Sequence, residues 1–284
     1  MKKIIAANWK NNGSKDFVKN YFSYLDENLE KNSHNEIIIF PPDIYCSLAL
    51  ELRNKIPARL GCQNISINTK NSTLTGGTTF KMLVDNSYEY VLIGHSENRA
   101  NEENISLSLK VKLCETMKII FCVGENKFDR DNNLISSKIF SQLDDLIEVY
   151  NDSMDVVVAY EPIWAIGTGV TPSAKDISST HEIIKKYLAQ KLPSNKEKDI
   201  MVMYGGSVSF DNAKEILTSQ FVDGVLIEAE GLDMDAAAGF DADTVEGLGV
   251  DGITPGFTGG GFILSGIFAV SEDDACLLFA LLPL

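Results

Sequence analysis

The sequence predicts an α/β protein closed into a (β/α)8 barrel, and three observations carry that reading. Short apolar, β-rich runs alternate with longer stretches of helical period, the pattern of a parallel sheet with right-handed crossovers. Eight such units fit between residues 3 and 227, which suits a closed ring better than an open sheet. The chain's 284 residues are long for one ordinary domain but usual for such a barrel, which runs to about 250 as a single unit.

Lys3–Ala7 is the first predicted strand and Lys15–Glu30 its helix, and Glu36–Phe40 with Ile44–Lys55 repeats the unit. Ala58–Cys62 leads through a loop to Phe80–Asn86, and Tyr88–Ile93 leads to Ile105–Met117. Lys118–Val123 precedes Ile135–Tyr150, Val156–Tyr160 precedes Ala174–Leu192, and Ile200–Tyr204 precedes Asp211–Thr218. Val222–Ile227 opens the eighth unit, whose helix falls on Asp233–Val245, a weakly amphipathic stretch.

Composition narrows the function classes. With 44% hydrophobic and 23% charged residues the chain is ordinary for a globular enzyme. A formal net charge of −15 argues against a nucleic-acid partner, which needs a basic face. The five cysteines, Cys46, Cys62, Cys114, Cys122 and Cys276, form no CxxC pair and no metal spacing, and read as reduced intracellular thiols. Met1-Lys2-Lys3 imitates a signal start, but the apolar run that follows, Ile4 to Ala7, is too short for one. Phe262 to Leu284 is apolar yet split by Ser271-Glu272-Asp273-Asp274, so neither half spans a bilayer. A cytoplasmic protein without a membrane partner is expected.

The character of the chain changes near residue 228. All 25 Lys and Arg, with 29 of the 40 acidic residues, lie in residues 1–227, which carry −4. The remaining 11 acidic residues put −11 on residues 228–284, where 10 of the 21 glycines also lie. The expected organisation is therefore a barrel domain over 1–227 and an atypical acidic, Gly-rich C-terminal segment over 228–284. That segment replaces the eighth loop and last helix.

Function in such a barrel belongs at the carboxyl ends of the strands, and three candidates sit there. Lys10 follows the first strand in Asn8-Trp9-Lys10. His95 follows the fourth in Ile93-Gly94-His95-Ser96-Glu97, and Glu161 follows the sixth in the run from Tyr160 to Gly169. Each alone has a structural reading: a solvated Lys, a turn His, a helix-start Glu. Together they suit proton abstraction beside a carbonyl. The carboxylate takes the carbon proton, the imidazole polarises the oxygens, and the ammonium steadies negative charge.

At these residues a family resemblance emerges. Asn8-Trp9-Lys10, Ile93 to Glu97 and Tyr160 to Gly169 resemble three signatures of the triosephosphate isomerases, and Tyr204-Gly205-Gly206-Ser207-Val208 resembles a fourth. Gly61-Cys62-Gln63-Asn64 and Thr75-Gly76 fall where that family has its third strand end and its dimer loop. The resemblance runs nearly collinearly from Met1 to Ile227 and implies a TIM barrel. It also implies a small phosphorylated triose as substrate, no metal or organic cofactor, and a homodimer. By resemblance Glu161 is the base, His95 a neutral electrophile, Lys10 an electrostatic clamp with Asn8 as companion, and Glu97 the group that orients the Lys. Pro162 to Gly169 is the implied lid. Substrate binding is implied for Asn8, Lys10, Gly167 in the lid, Ser207 after strand seven, and the two positions after strand eight.

Those last two positions depart from the family. They should be glycines, and here they are Glu228 and Ala229. A carboxylate about 4–6 Å from a phosphate dianion costs on the order of 2–4 kcal/mol at an effective dielectric near 20, so weakened substrate affinity is expected. Gly77 and Asn98 stand where the family pairs charges across its dimer interface, while Arg99 remains. Two alternatives stay open on the sequence alone. One is a barrel that no longer catalyses efficiently. The other is a phosphosugar epimerase of the same fold, which would need a His/Asp metal set. Outside His95 the chain offers only His34 and His181, both on or near predicted helices.

Overall fold

A computed structural model describes residues 2–29, 34–67, 75–100, 104–114, 116–166, 168, 170–192 and 200–228. Eight parallel strands close into a barrel in sequence order, with the eighth paired to the first. They are β1 (Ile4–Asn8), β2 (Glu36–Phe40), β3 (Ala58–Cys62), β4 (Tyr90–Ile93), β5 (Lys118–Val123), β6 (Asp155–Tyr160), β7 (Met201–Tyr204) and β8 (Gly224–Glu228). The predicted closed α/β barrel is thus the observed one. Strand β8 runs one residue further than predicted, so Glu228 ends a strand rather than starting a loop.

The helices are α1 (Lys15–Asn28), α2 (Cys46–Leu52), α3 (Phe80–Asp85), α4 (Ser96–Arg99), α5 (Asn104–Leu113), α6 (Lys127–Asp131), α7 (Ile135–Ile147), α8 (Ala174–Lys191) and α9 (Phe210–Thr218). Helix α2 is flanked by 3-10 turns, which shorten the predicted Ile44–Lys55. The short α4 and α6 add to the predicted set, because four or five residues cannot show a helical period. Local chemistry sets several starts. Ser14 and Ser173 cap α1 and α8 by accepting the N–H groups of Phe17 and Asp176, with an acidic residue in each first turn. The expected stretch Asp233–Val245, like the rest of residues 229–284, lies outside the described residues. No helix among the described residues is long and apolar enough to cross a membrane.

Period-two alternation divides the apolar residues into two cores. Inside the ring lie Ile4, Ala6, Ile38, Phe40, Tyr90, Leu92, Ile120, Cys122, Val157, Ala159, Met203 and Leu226. Between strands and helices lies the larger core, where Trp9 meets the edges of Phe17 and Tyr21 on α1 at 4.9 and 5.0 Å. The ring is therefore filled from below. Side chains that continue the inward phase past the strands must emerge at the carboxyl mouth.

Candidate active site

Four candidate side chains reach that mouth for separable reasons. Asn8 continues the inward phase of Ile4 and Ala6 on β1, and Glu161 that of Val157 and Ala159 on β6. Lys10 is held at φ +50°, a left-handed conformation that costs a non-glycine residue about 1–2 kcal/mol. Its backbone is tied at both ends: its N–H donates to Asn8 Oδ1 (3.0 Å), and its carbonyl accepts from Gln63 Nε2 (2.8 Å). His95 is out of phase with Tyr90 and Leu92. Gly94 corrects this with φ +76°, and Arg99 braces the turn by donating to the Gly94 and Cys122 carbonyls.

The expected convergence is present. His95 Nε2 lies 3.7 Å from Glu161 Oε1 and 3.5 Å from Asn8 Nδ2, and Lys10 Nζ lies 2.9 Å from Glu97 Oε1. Asn8, His95 and Glu161 are buried, while Glu97 is exposed. Glu161 Oε2 accepts the Ser96 N–H at 3.0 Å, but Oε1 is buried with no hydrogen-bond partner among the described residues. Burial raises the Glu161 pKa and Glu228 adds to it, against the pull of His95. His95 Nδ1 accepts the Glu97 N–H at 3.4 Å, which places the ring proton of the neutral form on Nε2, facing the carboxylates.

Glu228 changes the picture drawn from sequence. In register with Asn8 and in phase with Leu226, it points into the cluster of Asn8, Lys10 and His95. It is buried. His95 Nε2 lies 3.0 Å from its Oε1, and Asn8 Nδ2 (3.2 Å) and Lys10 Nζ (3.4 Å) contact its Oε2. The expected neutral imidazole is affected as well. Burial opposes protonation of His95, but Glu161, the hydrogen bond and charge of Glu228, and Glu97 together lift its pKa to about 10. In this arrangement the carboxylates favour protonation of the ring, while the long contact from the Glu97 N–H on Nδ1 favours the neutral form.

Ser207 does not join the cluster. Its hydroxyl donates to the Ala165 carbonyl at 2.7 Å, tying the loop after β7 to the lid segment. Gly167 and Ala229 lie outside the described residues. The lid base holds a further residue, Glu125, that the sequence motifs do not single out. It is fully buried just after β5, and its Oε1 accepts from Trp164 Nε1 (3.0 Å), Tyr160 Oη (3.1 Å) and Arg130 Nη1 (3.1 Å). The Arg130 guanidinium also covers the Trp164 ring at 4.6 Å. Its position just past a strand end is the one signal in the sequence that marks it.

His95, Glu161 and Glu228 place one ligand atom each within 4.8 Å of one another, the arrangement among the described residues that could hold a cation. Two features count against it. Lys10 already supplies a positive charge beside Glu228, and the Glu97 N–H on Nδ1 leaves Nε2 protonated rather than ligating. The donors instead suit a small anion or a polarised pair of oxygens.

Known proteins share this chain's pattern along most of its length. The profile of the family described as triosephosphate isomerase matches residues 3–240, past the residue-227 limit of the motif resemblance. A triosephosphate isomerase from Hydrogenovibrio crunogenus is 37% identical over 238 residues, covering 82% of this chain and 94% of its own. Those of Francisella tularensis subsp. mediasiatica and Blochmanniella floridana are 36% and 35% identical over 242 residues, covering 82% and 81% of this chain and 93% and 91% of theirs.

Proposed function

The chain belongs to the triosephosphate isomerase family, and we propose that the proton transfers of that reaction run on Glu161, His95, Lys10, Asn8 and Glu97. The activity is that of an intramolecular oxidoreductase, an aldose–ketose isomerase of glycolysis that interconverts dihydroxyacetone phosphate and D-glyceraldehyde 3-phosphate. Nothing in the fold or the comparisons favours the inactive barrel or the metal-dependent epimerase over it.

Glu161 is the base. Desolvation raises the pKa of its buried carboxyl, which brings it closer to the basicity that abstraction of a carbon proton needs. Lys10 and the Nε2 proton of His95 would meet the developing enediolate oxygens, with Asn8 Nδ2 beside them. Glu97, 2.9 Å from Lys10 Nζ, holds the ammonium in place. A Glu base, a His electrophile and a closing loop are the established pattern of this enzyme family, so the roles follow from resemblance as well as geometry. Ser207, with Gly167 and Ala229, is proposed to hold the phosphate by backbone amides. The single observation that carries the reading is the 3.7 Å approach of His95 to Glu161 over a mouth that Lys10 also enters.

A homodimer is proposed too. Ile44, Met82 and Val84 are exposed around the 75–79 segment that the family uses for dimerisation, and the Asp43 carboxylate accepts the Thr78 hydroxyl there. A cytoplasmic location fits the thiols: Cys46, Cys62, Cys114 and Cys122 are free and buried. Steady-state kinetics on glyceraldehyde 3-phosphate test the central reading. Turnover is expected, and its absence from well-folded protein at any substrate concentration would overturn it.

A further inference from the structure

Glu228 touches three of the groups just given roles on the substrate, and it touches them with both oxygens. Oε1 lies 3.0 Å from His95 Nε2. Oε2 receives Asn8 Nδ2 at 3.2 Å and faces Lys10 Nζ at 3.4 Å. A carboxylate presents two adjacent oxygens carrying one negative charge. An enediolate forming on neighbouring carbons presents a similar pair. The side chain is 4% exposed, so it has not turned away into solvent.

We propose that Glu228 is a specificity-determining residue that competes with the substrate, its carboxylate occupying the donors Asn8, Lys10 and His95 from within the chain. The proposal rests on the reading of those residues given above. The competition is intramolecular: the carboxylate is tethered to the end of β8 and always present at high effective concentration. Substrate enters only when Glu228 withdraws, so the cost falls on binding and not on the chemical step that follows. The Glu161 base keeps its Ser96 bond throughout, because Glu228 contacts neither that N–H nor Oε2 of Glu161. Removing Glu228 also leaves three donors that any small carboxylate could satisfy.

The test compares the parent chain with Glu228→Gly and Glu228→Gln, using sodium formate as the probe anion. In the Gly variant KM is expected to fall on the order of 10- to 100-fold, the worth of one or two charge-assisted hydrogen bonds that substrate no longer displaces. The turnover number should change far less than KM, because Glu228 is withdrawn when the chemistry runs. The Gln variant keeps the size, removes the charge, and should fall between the two. It decides the matter if the Gly chain does not fold. Formate should inhibit the Gly variant competitively and raise its melting temperature at concentrations that leave the parent unaffected. An unchanged KM in both variants, a parallel loss of KM and kcat, or equal formate effects on parent and variant would each overturn the proposal. If no chain turns over, the isomerase reading fails, and the formate melting shifts alone still decide whether Glu228 fills this place.

Discussion

Glu161 has one oxygen held by the Ser96 N–H and the other without a hydrogen-bond partner among the described residues. The held oxygen fixes direction, and the other, 3.7 Å from His95 Nε2, faces the mouth. Glu161→Gln preserves size and the Ser96 contact while removing the base. The turnover number should then drop by about 10²–10⁴, the usual worth of a positioned general base, with KM little altered. Steady-state kinetics check this. A Gln variant retaining parental turnover would move the base elsewhere. Asn8, Lys10, His95 and Glu161 can be brought together from sequence because each lies at or just past a strand end, and locating strand ends requires only the apolar runs. The protonation of His95 cannot. Besides Glu161, it depends on a carboxylate contributed 133 positions further along the chain.

At the scale of elements, the ends of β5 and β6 are joined more closely than their pairing requires. The Glu161 N–H donates to the Val123 carbonyl at 2.7 Å, and a methyl group at Gly124 would overlap the Glu161 carbonyl oxygen. Gly124→Ala is therefore expected to destabilise the chain by about 1–3 kcal/mol, the usual penalty of overpacking. It should also cost about 10²-fold in turnover, since a displacement near 1 Å at the base is enough for that. Urea unfolding and kcat measured on the same preparation report the two effects. Other features at this scale are partly legible. Strands β2, β3 and β5 have the predicted limits, because their apolar runs are sharply bounded. Glu125 meets the strand-end criterion, yet its partner Trp164 is 39 positions away and no local pattern links them. Glu228 reads as a loop residue because the apolar run of β8 stops one residue before the strand does. The phase of Gly224 and Leu226 is what aims it inward.

For the molecule as a whole, pH should act through His181 on α8, which is completely buried. Burial lowers its pKa to about 4, against the pull of the Phe221 carbonyl on Nδ1 at 3.3 Å. The folded state thus binds this proton less readily than the unfolded chain, whose His titrates near 6.5. Its contribution is fully present above about pH 6.5 and is lost as pH falls toward 4, amounting to roughly 3 kcal/mol. Glu36 acts in the same direction: burial opposes its ionisation, but Lys2, Tyr90 and Lys118 hold its pKa below the usual carboxylate value. Urea midpoints should fall steadily below pH 6.5, and His181→Gln should flatten that fall. An unchanged slope in the variant would assign the acid sensitivity to other groups. Light scattering coupled to size exclusion tests the assembly, with a mass of two chains of 31.2 kDa expected. A single-chain mass at working concentration would leave Ile44, Met82 and Val84 without the proposed cover.

The ring closes by pairing its first strand with its last, Ile4 against Gly224 through Asn8 against Glu228. During synthesis β1 emerges early and must wait, one edge bare, while some 220 further residues are made. A bare strand edge invites pairing with other chains, and contacts this distant in sequence form slowly. Nascent chains halted before residue 224 should therefore accumulate as aggregates rather than as partial barrels, and a ribosome that pauses late in the message exposes the protein at its most adhesive stage.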